Sequence, residues 1–172
     1  MNRKFIITAL IIIVLIAGVI FLQRSLSQVG KVHFHAGIEV YKDGLLQNFS
    51  DFKYMHEKPC TLNGKPLPGV RTDEQLEKAH LHDQTGDVLH IHRTGAKWKD
   101  LFINIKYPID KKNVSGYING ERVSDFLEEE IDPYDSLVVF VGKHKMDQKY
   151  LKNAVTKERI KQVEKKSETC SS

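Results

Sequence analysis

Only two cysteines occur in 172 residues, Cys60 and Cys170. Cys170 sits in a polar C-terminal tail, which argues against a structural disulfide between them. The scarcity excludes both a disulfide scaffold and a cysteine-based zinc site. Soft ligands are few altogether, with Met55 and Met146 beside the two cysteines, so a dedicated Cu(I) site is disfavoured. Met55, His56 and Cys60 are blue-copper ligand types, but their order does not match the usual Cys-then-His-then-Met run. His56 and His144, each alone, read as surface residues. The chain also has no Gly-x-Ser-x-Gly, no His-Glu-x-x-His and no phosphate-binding loop. The acidic run from Asp125 to Asp135 lacks the glycine and alternating ligands of an EF-hand loop, and reads as a solvated helix or loop. The formal charge of +4 is a local bias, with lysines gathered between Lys143 and Lys166. That is no nucleic-acid signature, and no nucleic-acid partner is expected.

One long hydrophobic run is present. Phe5 to Leu22 is apolar or small throughout except for Thr8. At about 1.5 Å per residue it nearly spans a hydrocarbon core of about 30 Å. Arg3 and Lys4 precede it and favour a cytoplasmic N-terminus, although Arg24 and Lys31 weaken the asymmetry. The run exceeds the usual apolar core of a cleaved signal peptide, for which Ser25-Leu26-Ser27 would offer a processing site. The sequence therefore predicts residues 1–4 in the cytoplasm, a transmembrane signal anchor over 5–22, a linker over 23–30, a histidine-rich domain over 31–142, and a basic helical or disordered tail over 143–172. The expected location is the cell membrane, single-pass, with the main domain outside.

What the chain has in excess is paired histidine. His80-Leu81-His82 and His90-Ile91-His92 flank Gln84-Thr85-Gly86-Asp87, and His33-Phe34-His35 lies upstream. Residues i and i+2 of a strand share a face, so each pair places two imidazoles on one side. A turn near Gly86 would pair the last two strands as a hairpin. One such pair is an ordinary polar face of an amphipathic strand. Three pairs are harder to explain that way, because clustered imidazoles repel once protonated, near a pKa of about 6.5. A metal relieves this by requiring the neutral form, and imidazole is the commonest transition-metal ligand. The candidate ligands are His33, His35, His80, His82, His90 and His92. Glu39, Asp83 and Asp87 are candidates to accept a hydrogen bond from a ligating imidazole.

The rest of the chain predicts an α+β domain with a mainly antiparallel or mixed sheet and one or two short helices. Lys31 to Tyr41 alternates, with Val32, Phe34, Ala36, Ile38 and Val40 facing the core. Lys42-Asp43-Gly44 turns the chain, and Leu45 to Phe49 returns. Ser50 to Val70 reads as loops. Thr72 and Gln75 resemble a capping box ahead of a short helix from Asp73 to about Ala79. Trp98, Leu101, Phe102 and Ile105 form a helical stripe ending before Pro108. Asn119-Gly120 marks a hairpin, and Leu137 to Val141 is a buried strand. Asp147 to Lys166 offers only a thin stripe of Leu151, Ala154, Val155 and Val163, which favours a solvated, fraying helix.

These motifs together resemble a poorly characterised family of exported or membrane-anchored microbial proteins. The pattern is an early His-x-His strand, an Asp-Gly turn, a His-x-His-Asp-x-x-Gly-x-x-His segment, an Asn-Gly hairpin and a terminal strand ending in glycine. It is carried here by His33, His35, Asp43, Gly44, His80, His82, Asp83, Gly86, His90, Asn119, Gly120 and Gly142. His92 departs from the acidic residue expected there. The resemblance implies an exported domain and supplies no activity. The hairpin and final strand also resemble the end of a β-grasp domain, which concerns fold alone.

Three imidazoles with one open position suit zinc, and Cu(II) binds the same ligands more tightly. The sequence favours a binding module for metal capture or transfer, with a membrane and a protein as further partners. A metal-dependent hydrolase or oxidase is the enzymatic alternative. The metallo-hydrolase pattern His-x-His-x-Asp-His is not met, because Gln84 and Thr85 stand at its last two positions. A metal-free interaction domain with pH-sensing histidines is the third reading.

Overall fold

A computed structural model describes residues 30–56, 61–62, 65–66, 73–142 and 148–166. The chain divides into two units, 1–30 and 31–172, and all the described strands and helices belong to the second. Strand β1 (Lys31–Lys42) alternates as its sequence predicts: Ala36, Ile38 and Val40 are buried in the main core, with Val32 and Phe34 packed against it. The turn at Asp43-Gly44, both with positive φ, leads to a two-residue strand β2 (Leu45–Leu46), shorter than the expected return. A 3-10 turn spans Phe52–Tyr54, and strands β3 (Thr61–Leu62) and β4 (Lys65–Pro66) pair as a small separate ribbon.

Helix α1 (Glu74–Lys78) starts at Asp73, whose carboxylate accepts from the Gln75 and Leu76 amides. This satisfies two of the amides that a helix start leaves without partners. Strand β5 (Val88–Arg93) follows, then helix α2 (Trp98–Asn104). Trp98, Leu101, Phe102 and Ile105 all enter the core, as the stripe predicts. Asp100 in its first turn is buried and accepts from the Lys97 amide and from Gln75 Nε2. Strands β6 (Val114–Ile118) and β7 (Glu121–Val123) form the Asn-Gly hairpin, both turn residues having positive φ. This is the twist a two-residue hairpin turn requires. Within the acidic run, Phe126–Glu128 is a 3-10 turn with Phe126 and Leu127 buried. Strand β8 (Ser136–Val141) is almost wholly buried.

The sheet is mixed and has six strands among the described residues, in the order β2-β1-β8-β6-β7 with β5 also on β1. The first and last of these strands lie parallel at its centre, and the other pairs are antiparallel. One face carries the main core under α2. On the other face lie helices α3 (Gln148–Lys152) and α4 (Lys157–Glu164). The tail is thus two helices rather than one. Val155, Ile160 and Val163 are buried with Val88, while Leu151 and Ala154 pack on Tyr41, Val138 and Phe140. Gly37 makes the close approach of this segment possible, since a Cβ there would lie 2.5 Å from Val155 Cβ.

The fold class read from the sequence requires correction. The expected transmembrane helix, 5–22, lies outside the described residues, and no helix among the described residues is long and apolar enough to cross a membrane. The longest of them, α4, has eight residues, where a spanning helix needs about 20. The single-pass location at a membrane and the membrane as a partner rested on that helix, and no helix among the described residues supports them. Cys60, Cys170, His144 and Met146 also lie outside the described residues.

The chain crosses from His82 to β5 through a turn in which Asp83 and Gln84 take positive φ and the Thr85 amide donates to the His82 carbonyl at 3.1 Å. Gly86, expected to supply the turn, has a different task. A Cβ on it would sit 2.5 Å from Ser50 N and 2.6 Å from Phe49 C, both backbone atoms that cannot swing aside. Gly86→Ala is expected to cost about 1–3 kcal/mol through this overpacking. Thermal unfolding checks it, and an unchanged Tm contradicts the close approach.

Candidate metal centre

Three stretches bring the predicted histidines to one face of the sheet. Phe34, Ala36, Leu89, Ile91 and Leu81 point into the core, so strand alternation sends their histidine neighbours to the opposite side. His35 and His90 stand directly across from each other on β1 and β5, with ring centroids 4.0 Å apart. His80 and His90 exchange both backbone hydrogen bonds, at 3.0 and 2.8 Å. The expected hairpin is therefore present as a single bridge followed by the turn. A register shift in β1 between Lys31 and Phe34 falls beside His33. Such bulges re-aim a side chain. The His33 ring stacks on His92 at 4.7 Å.

All six predicted histidines meet in this cluster. The His82 and His90 rings are 3.5 Å apart, and His80 lies 5.3 Å from His92. A seventh joins them: His56, read from the sequence as a surface residue, sits 5.3 Å from His80. The Met55–Leu81 bridge and the bond from the His56 amide to the Leu81 carbonyl hold it there. A lone histidine after a loop carries no periodic signal, so this neighbour was invisible in the sequence.

Three of the seven, His33, His90 and His92, lie close enough to hold a metal ion, with one ligand atom from each within 4.8 Å of the others. Tetrahedral zinc at 2.0–2.1 Å from nitrogen sets its ligands about 3.4 Å apart. His33 is exposed, His92 half-buried and His90 fully buried, so the triad runs from the surface inward.

Burial sets the protonation state. His35 and His92 are each held down to about 4 and His80 to about 3, in each case first by loss of water and then by neighbouring imidazoles. His82 and His90 are also lowered, again chiefly by burial. These rings are neutral at pH 7 and keep a lone pair, the form a metal needs. Buried nitrogens of His35, His80, His82 and His92 have no hydrogen-bond partner among the described residues. An orphaned buried polar atom is costly, and a bound cation would satisfy such nitrogens.

The carboxylates divide. Asp83 accepts from His82 Nδ1 at 2.7 Å. Glu39 instead accepts from the Tyr41 hydroxyl at 2.8 Å. Asp87 is held by the Arg159 guanidinium through two bonds, at 2.8 and 2.9 Å, and so ties α4 to the base of β5. The structure adds Glu164, which the sequence placed in a solvated tail. Its carboxylate lies 3.8 Å from His35 Nδ1 and accepts from the Tyr134 hydroxyl at 3.1 Å. It closes the α4 side of the cluster.

Comparison with family models, curated proteins and solved structures finds no match for the chain.

Proposed function

We propose that this protein binds a transition metal ion, zinc or copper(II), on the histidine face of its sheet and acts in metal capture or transfer. The observation that carries the reading is the triad of His33, His90 and His92 within ligand distance, set among buried neutral imidazoles with unpartnered nitrogens. An all-imidazole set suits both ions. The scarcity of sulfur in the chain argues against Cu(I).

Binding is favoured over hydrolysis by the state of the carboxylates. A metal hydrolase needs a general base within reach of a metal-bound water. The carboxylates nearest the histidines are already engaged as acceptors: Asp83 from His82, Glu39 from Tyr41, Asp87 from Arg159 and Glu164 from Tyr134. The exposed edge at His33 gives an ion a way in and out.

The test is metal analysis of the full-length chain, purified without a polyhistidine tag, stripped with a chelator and dialysed against Zn(II) or Cu(II). At least one tightly held equivalent of either ion is expected, with Cu(II) displacing Zn(II). A chain that retains neither ion contradicts the reading and leaves the histidines as a metal-free surface.

A further inference from the structure

The triad uses three of seven clustered histidines, and two of the remaining four are prepared in a particular way. His80 Nδ1 lies 2.9 Å from the Leu76 carbonyl oxygen. A carbonyl can only accept, so Nδ1 carries the proton and Nε2 carries the lone pair. His82 Nδ1 lies 2.7 Å from the Asp83 carboxylate, which fixes the same tautomer by the same reasoning. Both rings are more than nine-tenths buried, at 3% and 5% exposure, and in both the Nε2 atom has no hydrogen-bond partner among the described residues. A ligating histidine characteristically donates its other N–H to a carbonyl or carboxylate, which fixes its orientation and raises its basicity. His80 and His82 each show that arrangement, and neither belongs to the triad.

We infer that the cluster holds two metal ions, the second bound through Nε2 of His80 and Nε2 of His82 with His56 as the third ligand. This rests on the metal-binding reading and extends it to a second position. The ring centroids are 5.7 Å apart for His80 and His82 and 5.3 Å for His56 and His80. These three do not form a group as compact as the triad, so the second position is the weaker of the two. His90 lies 3.5 Å from His82 and His92 lies 5.3 Å from His80, which sets the two positions side by side on one floor of imidazoles. Two ions also account for the number of histidines, since a tetrahedral ion uses at most four.

The two ligand carriers are anchored by different parts of the chain. Leu76 belongs to α1 and Asp83 to the turn before β5. The second position therefore depends on contacts that the triad does not use. Asp83→Asn removes the carboxylate charge from the His82 hydrogen bond at an exposed side chain, so the fold is preserved. Loss of such a partner typically lowers metal affinity 10–100-fold.

The experiment is a Zn(II) titration of the full-length, metal-free chain with a competing chromophoric chelator, repeated with Co(II) to read ligand geometry from its visible bands. Wild-type chain is expected to bind two equivalents in two steps. His80→Gln with His82→Gln is expected to abolish the weaker step and keep the tighter one. Asp83→Asn is expected to weaken only the weaker step, at least tenfold, with an unchanged circular dichroism spectrum. Only one equivalent in the wild type overturns the second position while leaving the triad standing. Two unaltered steps in a folded Asp83→Asn chain, or two equivalents in the double variant, also overturn it. No equivalents at all overturns the metal-binding reading itself.

Discussion

Removing the triad is expected to abolish metal binding at its position. His33→Ala alone is expected to weaken binding of the tightest Zn(II) equivalent about a hundredfold. Structural zinc is bound with about 10–16 kcal/mol by four ligands, or roughly 3 kcal/mol for each, which corresponds to that factor. His33 is exposed, so its truncation leaves no cavity, and the variant separates ligation from folding. His90→Ala with His92→Ala removes two of three ligands, and the tight step should vanish. His90 is wholly buried between His35 and His82, so that double variant also opens a cavity and calls for circular dichroism beside the titration. An unchanged Zn(II) affinity in folded His33→Ala contradicts the triad.

The second large effect is acid sensitivity of the metal-free chain. In the unfolded chain a histidine takes up its proton near pH 6.5. In the folded chain His35 and His92 stay neutral to about 4 and His80 to about 3. Above pH 6.5 both states bind equal protons, and these residues do not affect stability. Below it the unfolded state binds more protons, so stability falls with falling pH until the folded pKa is passed. His35 and His80 alone lower it by roughly 3 kcal/mol for each pH unit. Across the window from pH 6.5 to 4 this amounts to roughly 7 kcal/mol, comparable with the lower half of a net stability of about 5–15 kcal/mol.

The metal-free chain is therefore expected to unfold cooperatively within that window. A hundredfold excess of Zn(II) over its Kd adds about 2.7 kcal/mol and should shift the midpoint acidward by about one pH unit. Circular dichroism against pH, with and without Zn(II), reads both. A metal-free chain unaltered at pH 4 would show that the histidines are not held neutral by burial.

Much of this site was legible in the residues because strand alternation has a strict period of two. Once Phe34, Ala36, Leu89 and Ile91 are assigned to the core, His33, His35, His90 and His92 have only one side left. The adjacency of β1 and β5 was an inference that the structure supports through the His35–His90 pair. Other features had no local signal. His56 reaches the cluster through one bridge, and its own sequence context is a loop. Glu164 reaches it because α4 packs on Val88, with Arg159 gripping Asp87 from 72 residues away.

The tail's thin apolar stripe looked too weak to bury. Its partner surface is Val88 and the flat backbone at Gly37, which lies in a row otherwise read as polar. The same limit applied to the carboxylates. Glu39 shares the face of His33 and His35 by period, yet its neighbour Tyr41 two residues on takes its hydrogen bond. Gly86 was read as a turn residue from its type alone, whereas the chain turns at Asp83 and Gln84 and keeps Gly86 for its small size.

X-ray absorption at the zinc edge of the loaded full-length chain tests the histidine centre most directly. The expected spectrum has a first shell of nitrogen and oxygen at about 2.0–2.1 Å, with the outer-shell scattering of at least three imidazoles and no sulfur at about 2.3 Å. A shell containing sulfur would place the ion at a cysteine. A shell of oxygen alone would place it on surface carboxylates, and either result contradicts the histidine centre.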